Sequence, residues 1–366
     1  MKILIIGFSL RHLIPYIEIY ENKLKEKGIH FDTILWDRYS NKPLESVPRR
    51  LGIDYIIHKI GVGSIFKKLL PMYHFRSICK KIIKKNNYTH LIVLTTLPGV
   101  FLGEMLSRNF RDRYILDIRD YSYEKYRMYR NYVNKLVDRS AFTAISSKGF
   151  FKFLAQNEKI VPVHNITNGD CALANAGELR SKDYIELGFV GAIRYYSENC
   201  RLLEILKNHP RYGLVFVGKE ISKEIGKESL EKFCFKNDIR NVHFKGEYDN
   251  REKPKIYNEI DIIDSLYGSH SLEVTTLLPN RLYDAVLFKK PILASKGTYL
   301  ADIVNENGLG IAIDLISDDV AAALDQYIET FNPKAFDENC QRFLEQVEYE
   351  QSEFYKRLNA FWGDIA

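Results

Sequence analysis

The 366 residues contain no continuous run of roughly 20 apolar residues, the length that a membrane-spanning helix requires, so we predict no transmembrane helix. The first residues, MKILIIGF, have too short an apolar run for a secretory signal peptide and show no cleavage site. The five cysteines form no CxxC pair and have no histidine at metal-ligand spacing. We therefore expect reduced cysteines in a cytoplasmic protein.

Several motifs that would indicate a cofactor are missing as well. No GxGxxG follows a strand pattern, which disfavours a nicotinamide-dependent dehydrogenase, and there is no Walker A loop. Neither GxSxG nor HExxH occurs, so the sequence offers no nucleophile elbow and no zinc-protease helix. We expect neither a cofactor nor a metal ion.

The charge is divided unevenly along the chain. Residues 1–170 contain 29 lysines and arginines against 15 aspartates and glutamates, whereas the remainder contains 24 against 32. No acidic residue occurs from Tyr55 to Gly103. The first half is therefore expected to face something anionic, such as a membrane surface, a phosphorylated ligand or nucleic acid. Because no RNA- or DNA-binding module is recognisable, we do not expect a nucleic-acid partner.

Apolar runs of strand length alternate with helical patterns in both halves of the chain, which is typical of parallel sheets covered by helices. The first helical pattern runs from about Leu13 to Lys27. The alternation restarts after a small, polar, unpatterned stretch, which predicts an interdomain linker near residues 168–183. The strand candidates are KILIIGF, FDTILW, DYIIHKI, HLIVLTT, RYILDIRD and AFTAISS, then YIELGFVGAI, YGLVFVG, NVHFKGEY, DIIDSLY, KPILAS and LGIAIDL.

The predicted fold is α/β, with two Rossmann-like doubly wound parallel-sheet domains facing a cleft. We place the first domain at residues 1–170 and the second at residues 184–344. The stretch from Pro333 to Trp362 is predicted to be helical throughout, and its end, about residues 345–366, is expected to pack back on the first domain. Such sheets bind ligands beyond the carboxyl ends of their strands, so each wall of the cleft would hold one ligand.

The stretch LPNRLYDAVLFKKPILAS, residues 278–295, carries a candidate ligand-binding pattern. Pro279 suits the first position of a helix, whose free backbone N–H groups and partial positive charge favour a phosphate. Arg281 adds a guanidinium that can bind a phosphate through two hydrogen bonds. Asp284, one turn further on, could accept hydrogen bonds from a ribose diol. The alternative is a simple Arg281–Asp284 ion pair on the helix surface.

This stretch resembles the donor-binding segment of GT-B glycosyltransferases of the bacterial surface-polysaccharide type (glycosyl transferase family 4-like, or group 1). In that family a run like PNKLYEALACGKPVIAS opens the helix that contacts the nucleotide sugar. The run GFVGAIRYYSENCRLLEIL is similar to the first strand–loop–helix of the family's second domain, and HFKGEY leads into a loop that borders the nucleobase there. The resemblance covers most of residues 185–315. It implies donor-binding roles for Gly191, Arg194, Tyr248, Pro279, Asn280, Arg281, Leu282 and Asp284.

Two residues near strand ends have alternative interpretations. Arg194 lies just beyond a strand end, where an arginine is often only solvated, but Gly191 nearby would let the backbone approach a ligand closely. Lys219 follows another strand end and could either contact a phosphate or remain solvated.

The sequence departs from the family pattern at one position. The family often carries two acidic residues eight positions apart, and Asp284 matches the second. The first falls on Thr276, while the nearby Glu273 is out of register. A retaining mechanism is implied by the resemblance alone, and the absence of a DxD motif leaves metal-dependent glycosyl transfer without support.

The first half offers candidates for the acceptor side. RYILDIRD places Asp117, Arg119 and Asp120 at a strand's carboxyl end, where Asp120 could take the proton from an attacking hydroxyl. An Asp–Arg pair that caps the next helix is the alternative. His12 follows the first strand, where a doubly wound sheet binds ligands, and could contact acceptor or sugar or have no function beyond the helix start.

The run GSIFKKLLPMYHFRSICKKIIKKNN, residues 63–87, interleaves apolar residues with seven lysines and arginines. Such a segment suits the surface of an anionic bilayer, and Pro71 should divide it into two pieces. The alternative is an ordinary helix with one core face and one solvated face. A second basic face, YSYEKYRMYRNYVNKL, supports the same expectation of peripheral contact with the inner face of the cell membrane.

Together these patterns predict a glycosyltransferase that moves a sugar from a UDP- or GDP-linked donor to a saccharide acceptor. A lipid-linked acceptor in capsular, exopolysaccharide or O-antigen synthesis would rationalise the basic segments. Two alternatives stay open: a nucleotide-sugar epimerase on the same architecture, and a non-catalytic partner subunit that binds nucleotide sugar. Sugar transfer, epimerised donor and binding without turnover would distinguish the three.

Overall fold

The structure, a computed structural model, describes residues 1–58, 69–166, 179, 181–220 and 226–363. The chain forms two compact units. Unit 1 consists of Met1–His164 together with the segment from Glu350 onward, and unit 2 consists of Asn165–Tyr349. The stretch predicted as the linker, residues 168–183, lies largely outside the described residues.

Unit 1 is built on an eight-stranded sheet in the order β3-β4-β2-β1-β5-β6-β7-β8. All neighbours are parallel except β3 and β4, which pair antiparallel at the edge. Six of the strands were predicted from apolar runs, and the polar β3 and the three-residue β8 were not. The strands are β1 Ile3–Ile6, β2 Phe31–Asp37, β3 Glu45–Arg49, β4 Gly52–His58, β5 His90–Leu94, β6 Tyr114–Ile118, β7 Phe142–Ile145 and β8 Ile160–Pro162.

In the described part of residues 1–164, four α-helices cover this sheet. The first begins later than predicted, at Ile17, because residues Arg11–Leu13 form a separate 3-10 turn ahead of Pro15. Pro71 lies within α2, which continues through it to Asn86, and residues 63–68 of the predicted basic segment lie outside the described residues. The helices are α1 Ile17–Glu26, α2 Leu69–Asn86, α3 Thr96–Asn109 and α4 Arg127–Arg139.

Unit 2 is built on a six-stranded sheet in the order β11-β10-β9-β12-β13-β14, with every neighbouring pair parallel. The chain proceeds outward from β9 in one direction and then from β12 in the other, so the strand order reverses between these two central strands. All six strands were predicted. They are β9 Ile185–Val190, β10 Tyr212–Val217, β11 Val242–Lys245, β12 Ile262–Ser265, β13 Ile292–Ser295 and β14 Gly310–Ile313.

The helices of unit 2 cover both faces of this sheet, with two separate apolar cores beneath them. The last helix is continuous, as predicted, and belongs to unit 2 up to Tyr349 and to unit 1 from Glu350. The helices are α5 Tyr196–Ile205, α6 Lys227–Lys236, α7 Lys253–Asn258, α8 Leu272–Thr276, α9 Asn280–Leu287, α10 Tyr299–Asn307, α11 Val320–Thr330 and α12 Pro333–Phe361.

The end of α12 is part of the core of unit 1. Phe354 and Leu358 are fully buried there, and the ring of Phe354 lies 6.1 Å from that of Phe142 on β7. Among the helices of the described residues, none combines the length and hydropathy that a bilayer span requires. The four cysteines within the described ranges are buried and free of disulfides.

Candidate functional site

Doubly wound sheets form a crevice beyond the carboxyl ends of the two strands at which the strand order reverses, here β9 and β12, and Arg281 lies at that position. The side chain comes from the first turn of α9 and is only 7% exposed. Its Nε donates to the carbonyl oxygen of Val190 at 2.7 Å, and its Nη1 donates to that of Asp264 at 2.9 Å. Arg281 therefore bridges the two strand ends at the position where doubly wound sheets bind ligands.

Aromatic rings enclose the same guanidinium. Its carbon lies 3.5 Å from the ring centroid of Phe189 and 5.2 Å from that of Tyr267. Tyr267 in turn stacks on Tyr195, with the ring centroids 4.4 Å apart. Because aromatic faces stabilise a cation, these rings help to hold a fixed positive charge at the crevice.

Two glycines shape the backbone around Arg281. Gly191, directly after β9, has a φ of +124°, a conformation that side chains rarely adopt. A Cβ built on Gly191 would lie 3.8 Å from Nη2 of Arg281, so conformation rather than space demands glycine there. Gly218 after β10 has a φ of +147°, and a Cβ on it would collide with the carbonyl oxygen of Gly191 at 1.9 Å. The loops after β9 and β10 thus pack backbone against backbone beside Arg281.

A buried carboxyl group lies behind the crevice. Asp264 on β12 is 2% exposed, and one of its oxygens accepts the N–H of Leu266 at 3.0 Å. Burial raises the pKa of Asp264 to about 6, while the hydrogen bond from Leu266 and the charge of Arg281 oppose that rise. Sequence spacing does not mark Asp264 as a site residue, because it lies inside the apolar strand pattern DIIDSLY.

Asp284 is held by side chains from another helix. Its carboxylate accepts hydrogen bonds from Lys253 Nζ at 2.8 and 3.0 Å and from the hydroxyl of Tyr257 at 2.8 Å. Asp284 is 8% exposed. The alternative of a surface Arg281–Asp284 pair is therefore wrong: both residues are buried, and their hydrogen bonds go to other elements.

Tyr248 lies close to this carboxylate. It follows β11 and is half-buried against the core beneath α9. Burial raises the pKa of the Tyr248 phenol, and the charge of Asp284 adds to that effect, while Arg281 opposes it. The structure therefore brings Tyr248, Arg281 and Asp284 together, although they come from two segments more than 30 residues apart.

The start of α9 differs in detail from the prediction. Pro279 has an extended backbone, with φ −75° and ψ 153°, so it is the N-cap and Asn280 is the first helical residue. Asn280 is exposed, and its side-chain oxygen accepts from Asn165 at 3.4 Å. Leu282 is fully buried, and its N–H donates to the carbonyl oxygen of Pro279 at 3.0 Å. Leu282 thus anchors the helix in the core, and Asn280 is the residue that faces solvent.

The other two predicted donor-site cations are exposed. Arg194 lies in the loop after β9, and its carbonyl oxygen accepts from the side chain of Asn199 at 2.6 Å. Lys219 lies in the loop after β10, where its Nζ is 3.7 Å from the carboxylate of Glu247, just before Tyr248. Both loops border the carboxyl edge of the sheet in unit 2.

A cavity of about 470 Å³ opens at the same edge of unit 2, within the size range of small-molecule sites. Glu198 in the first turn of α5 lies 3.5 Å from the ring of His270 across it. The buried hydroxyl of Ser295 accepts two backbone N–H groups in its wall. The cavity is lined by Ser197, Glu198, Arg201, Gly268, Ser269, His270, Ser295, Lys296, Ile313, Asp314, Leu315 and Ile316.

In unit 1 the predicted acceptor-side residues fall into two groups. Asp117 and Arg119 are buried and joined by hydrogen bonds of 2.6 and 3.1 Å, and the hydroxyl of Tyr20 donates to Asp117 at 2.7 Å. They form a structural pair inside the unit. Asp120, beyond the end of β6, and His12, in the 3-10 turn after β1, are exposed at the carboxyl edge.

Two further observations, on metal-binding clusters and on the side chain at position 276, bear on the reaction that the site could catalyse. Within the described ranges no group of three or more histidine, cysteine, aspartate or glutamate side chains is placed to hold a metal ion. Thr276, at the position where the resemblance expects an acidic residue, is buried, and its hydroxyl donates to the carbonyl oxygen of Leu272 at 2.7 Å. The hydroxyl of Thr276 therefore bonds within the last turn of α8, and this position supplies no carboxylate to the site.

Comparisons with known proteins bear on the fold. No protein-family model matches the sequence, and no curated protein matches it. Solved structures do match. Sucrose-phosphate synthase from Thermosynechococcus elongatus has a TM-score of 0.71 at 15% identity, over 98% of this chain and 99% of that one.

Two other solved structures match over similar lengths. A UDP-forming α,α-trehalose-phosphate synthase from Burkholderia xenovorans has a TM-score of 0.70 at 8% identity, over 98% of both chains. Anabaena HepE, solved in complex with UDP and glucose, has a TM-score of 0.64 at 14% identity, over 98% of this chain and all of that one. The predicted α/β fold is therefore confirmed: the chain consists of two Rossmann-like parallel-sheet domains and has the GT-B fold.

Proposed function

We propose that the protein is a GT-B glycosyltransferase that binds a nucleotide-activated sugar on unit 2 and transfers the sugar to a saccharide acceptor. The single observation that carries the proposal is the placement of Arg281 at the reversal point of the sheet, beside Gly191 and the start of α9. The solved structures of similar fold support it, since their names include sugar-phosphate synthases and a complex with UDP.

The donor's diphosphate would lie against the carboxyl edge of β9 and β12. Arg281, with two donors already committed to the strand ends, supplies a fixed positive charge, and the free N–H groups at the start of α9 add hydrogen bonds. Arg194 and Lys219 are exposed on neighbouring loops and can turn toward the phosphates. Stabilising the departing diphosphate in this way lowers the barrier to breaking the glycosidic bond.

The nucleoside and the sugar would occupy the two sides of the diphosphate. Asp284 and Tyr248, with Lys253 fixing the carboxylate, offer acceptors for a ribose diol and a ring surface for a base. The cavity lined by Glu198 and His270 has the volume and the polar groups for the sugar. We propose a UDP- or GDP-linked donor, no metal ion, and a retaining mechanism that the family resemblance implies.

The acceptor would bind at the carboxyl edge of unit 1. Asp120 and His12 are both exposed there, on loops after β6 and β1, and either can take the proton of an attacking hydroxyl. We propose a saccharide acceptor carried on a lipid, in the synthesis of a bacterial surface polysaccharide.

The outer face of α2 supports a membrane-bound acceptor. Arg76, Lys80, Lys81 and Lys84 recur at helical spacing along one face with Tyr73, and the opposite face holds the buried Phe75, Cys79 and Ile82. Lys80, Lys81 and Lys84 form no ion pair with any residue in the described ranges. Each basic residue near an anionic bilayer adds about 1 kcal/mol to membrane affinity. We propose peripheral contact with the inner face of the cell membrane through this face.

A second candidate is a non-catalytic partner subunit that binds the nucleotide sugar. The observation that favours it is Thr276, whose buried hydroxyl stands where the family expects a carboxylate. Turnover decides between the two: release of UDP or GDP dependent on an acceptor supports the enzyme, whereas tight binding without release supports the partner subunit.

Nucleotide binding is the first test. Wild-type protein is melted with UDP, GDP, ADP or dTDP, and a nucleotide that binds the folded state raises the melting temperature; a concentration 100-fold above Kd adds about 2.7 kcal/mol. Asp284→Ala and Arg281→Ala are compared with their own nucleotide-free melting temperatures, and Arg240→Ala, an exposed arginine paired with Asp238, is the control. If nucleotide still raises the melting temperature of both site variants as it does that of wild-type protein, the assignment of the donor site is refuted.

A further inference from the structure

The carboxyl edge of unit 1 carries an aromatic platform, formed by Phe8 after β1, Trp36 on β2 and Phe75 on α2. The ring centroids of Phe8 lie 4.4 Å from Trp36 and 5.2 Å from Phe75, and those of Trp36 and Phe75 lie 5.5 Å apart. All three residues are at least nine-tenths buried. The platform is therefore a rigid part of the unit that ends at the edge where ligands bind.

The guanidinium of Arg38 lies over this platform. Its guanidinium carbon is 4.6 Å from the ring centroid of Phe8 and 4.9 Å from that of Trp36, and Nη2 donates to the carbonyl oxygen of Phe8 at 2.5 Å. The surrounding protein lowers the pKa of Arg38 through desolvation. The rings and this hydrogen bond thus hold the guanidinium on one side, while the Arg38 residue as a whole is exposed to solvent.

Arg38 has no carboxylate partner among the described residues, unlike three other packed arginines of unit 1. Arg11 pairs with Glu21 and Asp54, Arg49 with Asp54, and Arg119 with Asp117. The charged neighbour in sequence, Asp37, directs its carboxylate to Ser40 and His58 instead.

The sequence around the platform contains no replacement for the missing counter-ion. No aspartate or glutamate occurs from Tyr55 to Gly103, a range that includes all of α2 and the residues 59–68 that the structure does not describe. The titratable groups that act on Arg38 are the phenols of Tyr39 and Tyr123. A guanidinium that is held in place at the surface, with no carboxylate partner among the described residues, can bind an external anion.

Exposed tyrosines flank the guanidinium. Tyr39 is 83% exposed, Tyr123 is 43% exposed, and the ring of Tyr126 stacks on that of Tyr123 at 6.5 Å. Flat, exposed rings beside a fixed cation can pack on the apolar face of a sugar ring while the cation binds a charged substituent. This combination describes a recognition site for a charged sugar.

We propose that Arg38 on its aromatic platform binds a carboxylate or phosphate group carried by the acceptor, so that the acceptor saccharide is anionic. The inference rests on the proposed function, because it deepens the acceptor site of unit 1. A guanidinium binds both anions through two parallel hydrogen bonds, which an ammonium group cannot reproduce.

The experiment measures binding of three probes by saturation-transfer NMR at constant ionic strength: methyl glucuronide, glucose 6-phosphate and the neutral methyl glucoside. We expect at least one anionic probe to bind wild-type protein about tenfold more tightly than the neutral probe, and the better anion identifies the group. Arg38→Gln should reduce that preference to about one, and Arg38→Lys should retain only part of it. Trp36, one of two tryptophans in the chain, provides a fluorescence signal from the platform itself.

Arg113→Gln is the matched control, since Arg113 is also exposed and stacks on a phenylalanine, Phe110, at 5.6 Å, but lies at the amino end of β6. It should keep the anionic preference. Equal binding of charged and neutral probes, a preference that survives Arg38→Gln, or an equal loss in Arg113→Gln would each overturn the proposal. UDP and GDP binding are recorded for every variant. If wild-type protein binds neither nucleotide, the result counts against the proposed function, whereas nucleotide binding without an anionic preference counts against Arg38 alone.

Discussion

Arg281 allows a quantitative test of how the candidate donor site is held together. Replacing it by methionine keeps an unbranched apolar chain against Phe189 but removes the two donors that satisfy Val190 and Asp264. A buried acceptor left unsatisfied costs about 1–3 kcal/mol, and release of the guanidinium from its buried position offsets part of that cost. We therefore expect Arg281→Met to lower the free energy of unfolding of unit 2 by about 2–4 kcal/mol.

That loss has a measurable size. A unit of 150–250 residues loses about 2–4 °C in melting temperature per kcal/mol, so the expected decrease is roughly 5–15 °C. Because two units can unfold in separate transitions, the assay follows hydrogen exchange of peptides from β9 and β12 during thermal unfolding. These strands should lose protection first, since Arg281 joins their ends.

The control is Arg240→Met, which removes an exposed arginine paired with Asp238 on the surface of the same unit. Exposed pairs contribute little, so its effect should stay below about 1 kcal/mol. If Arg281→Met changes the stability of unit 2 no more than Arg240→Met does, the guanidinium does not bridge the strand ends and the argument is wrong.

Two further predictions concern the buried carboxyl groups of unit 2. Burial raises the pKa of Asp264 to about 6, so the folded state holds this proton more tightly than the unfolded state does, and the associated stability is lost as pH rises through that value. Asp264→Asn should therefore raise the free energy of unfolding at pH 8 by on the order of 2 kcal/mol. In urea titrations between pH 4 and 8, the variant should also show a flatter dependence of stability on pH than wild-type protein. An unchanged pH profile would contradict this prediction. Asp284→Asn and Lys253→Met should each cost about 1–3 kcal/mol, and the double variant should cost less than their sum; strictly additive losses would mean that the two side chains do not interact.

The strands of the fold could be predicted because buried parallel strands are apolar on both faces. β9 through β14 all read as short apolar runs between helical patterns, and each appears in the structure. The edge strand β3, with the sequence ESVPR, was missed because it is polar, contains Pro48 and pairs antiparallel with a single neighbour. Its pairing depends on β4 and carries no apolar signal of its own.

The candidate site was predictable only in part. Spacing marked Arg281 and Asp284, because a helix start with an arginine and an acid one turn on is a local pattern. It could not show their partners: Lys253 and Tyr257 come from α7, and Asp264 lies on a strand whose neighbours are set by sheet order. These contacts depend on which strands and helices are neighbours in the folded unit, which sequence spacing does not encode.

The same reason explains why Arg38 was missed. No motif surrounds it, and its environment is assembled from β1, β2 and α2. The signal available in the sequence is the acid-free range from Tyr55 to Gly103, which indicates that the first half faces something anionic but does not identify the residue that binds it. That acid-free range also leaves a fixed arginine on another element without a counter-ion.

The most direct measurement is a crystal structure of the protein soaked with UDP or GDP. The account predicts that the diphosphate lies beyond the ends of β9 and β12, within hydrogen-bond distance of the backbone at Gly191 or the start of α9 and beside Arg281. Nucleotide density on any other surface, or an empty crevice at saturating nucleotide, would contradict it.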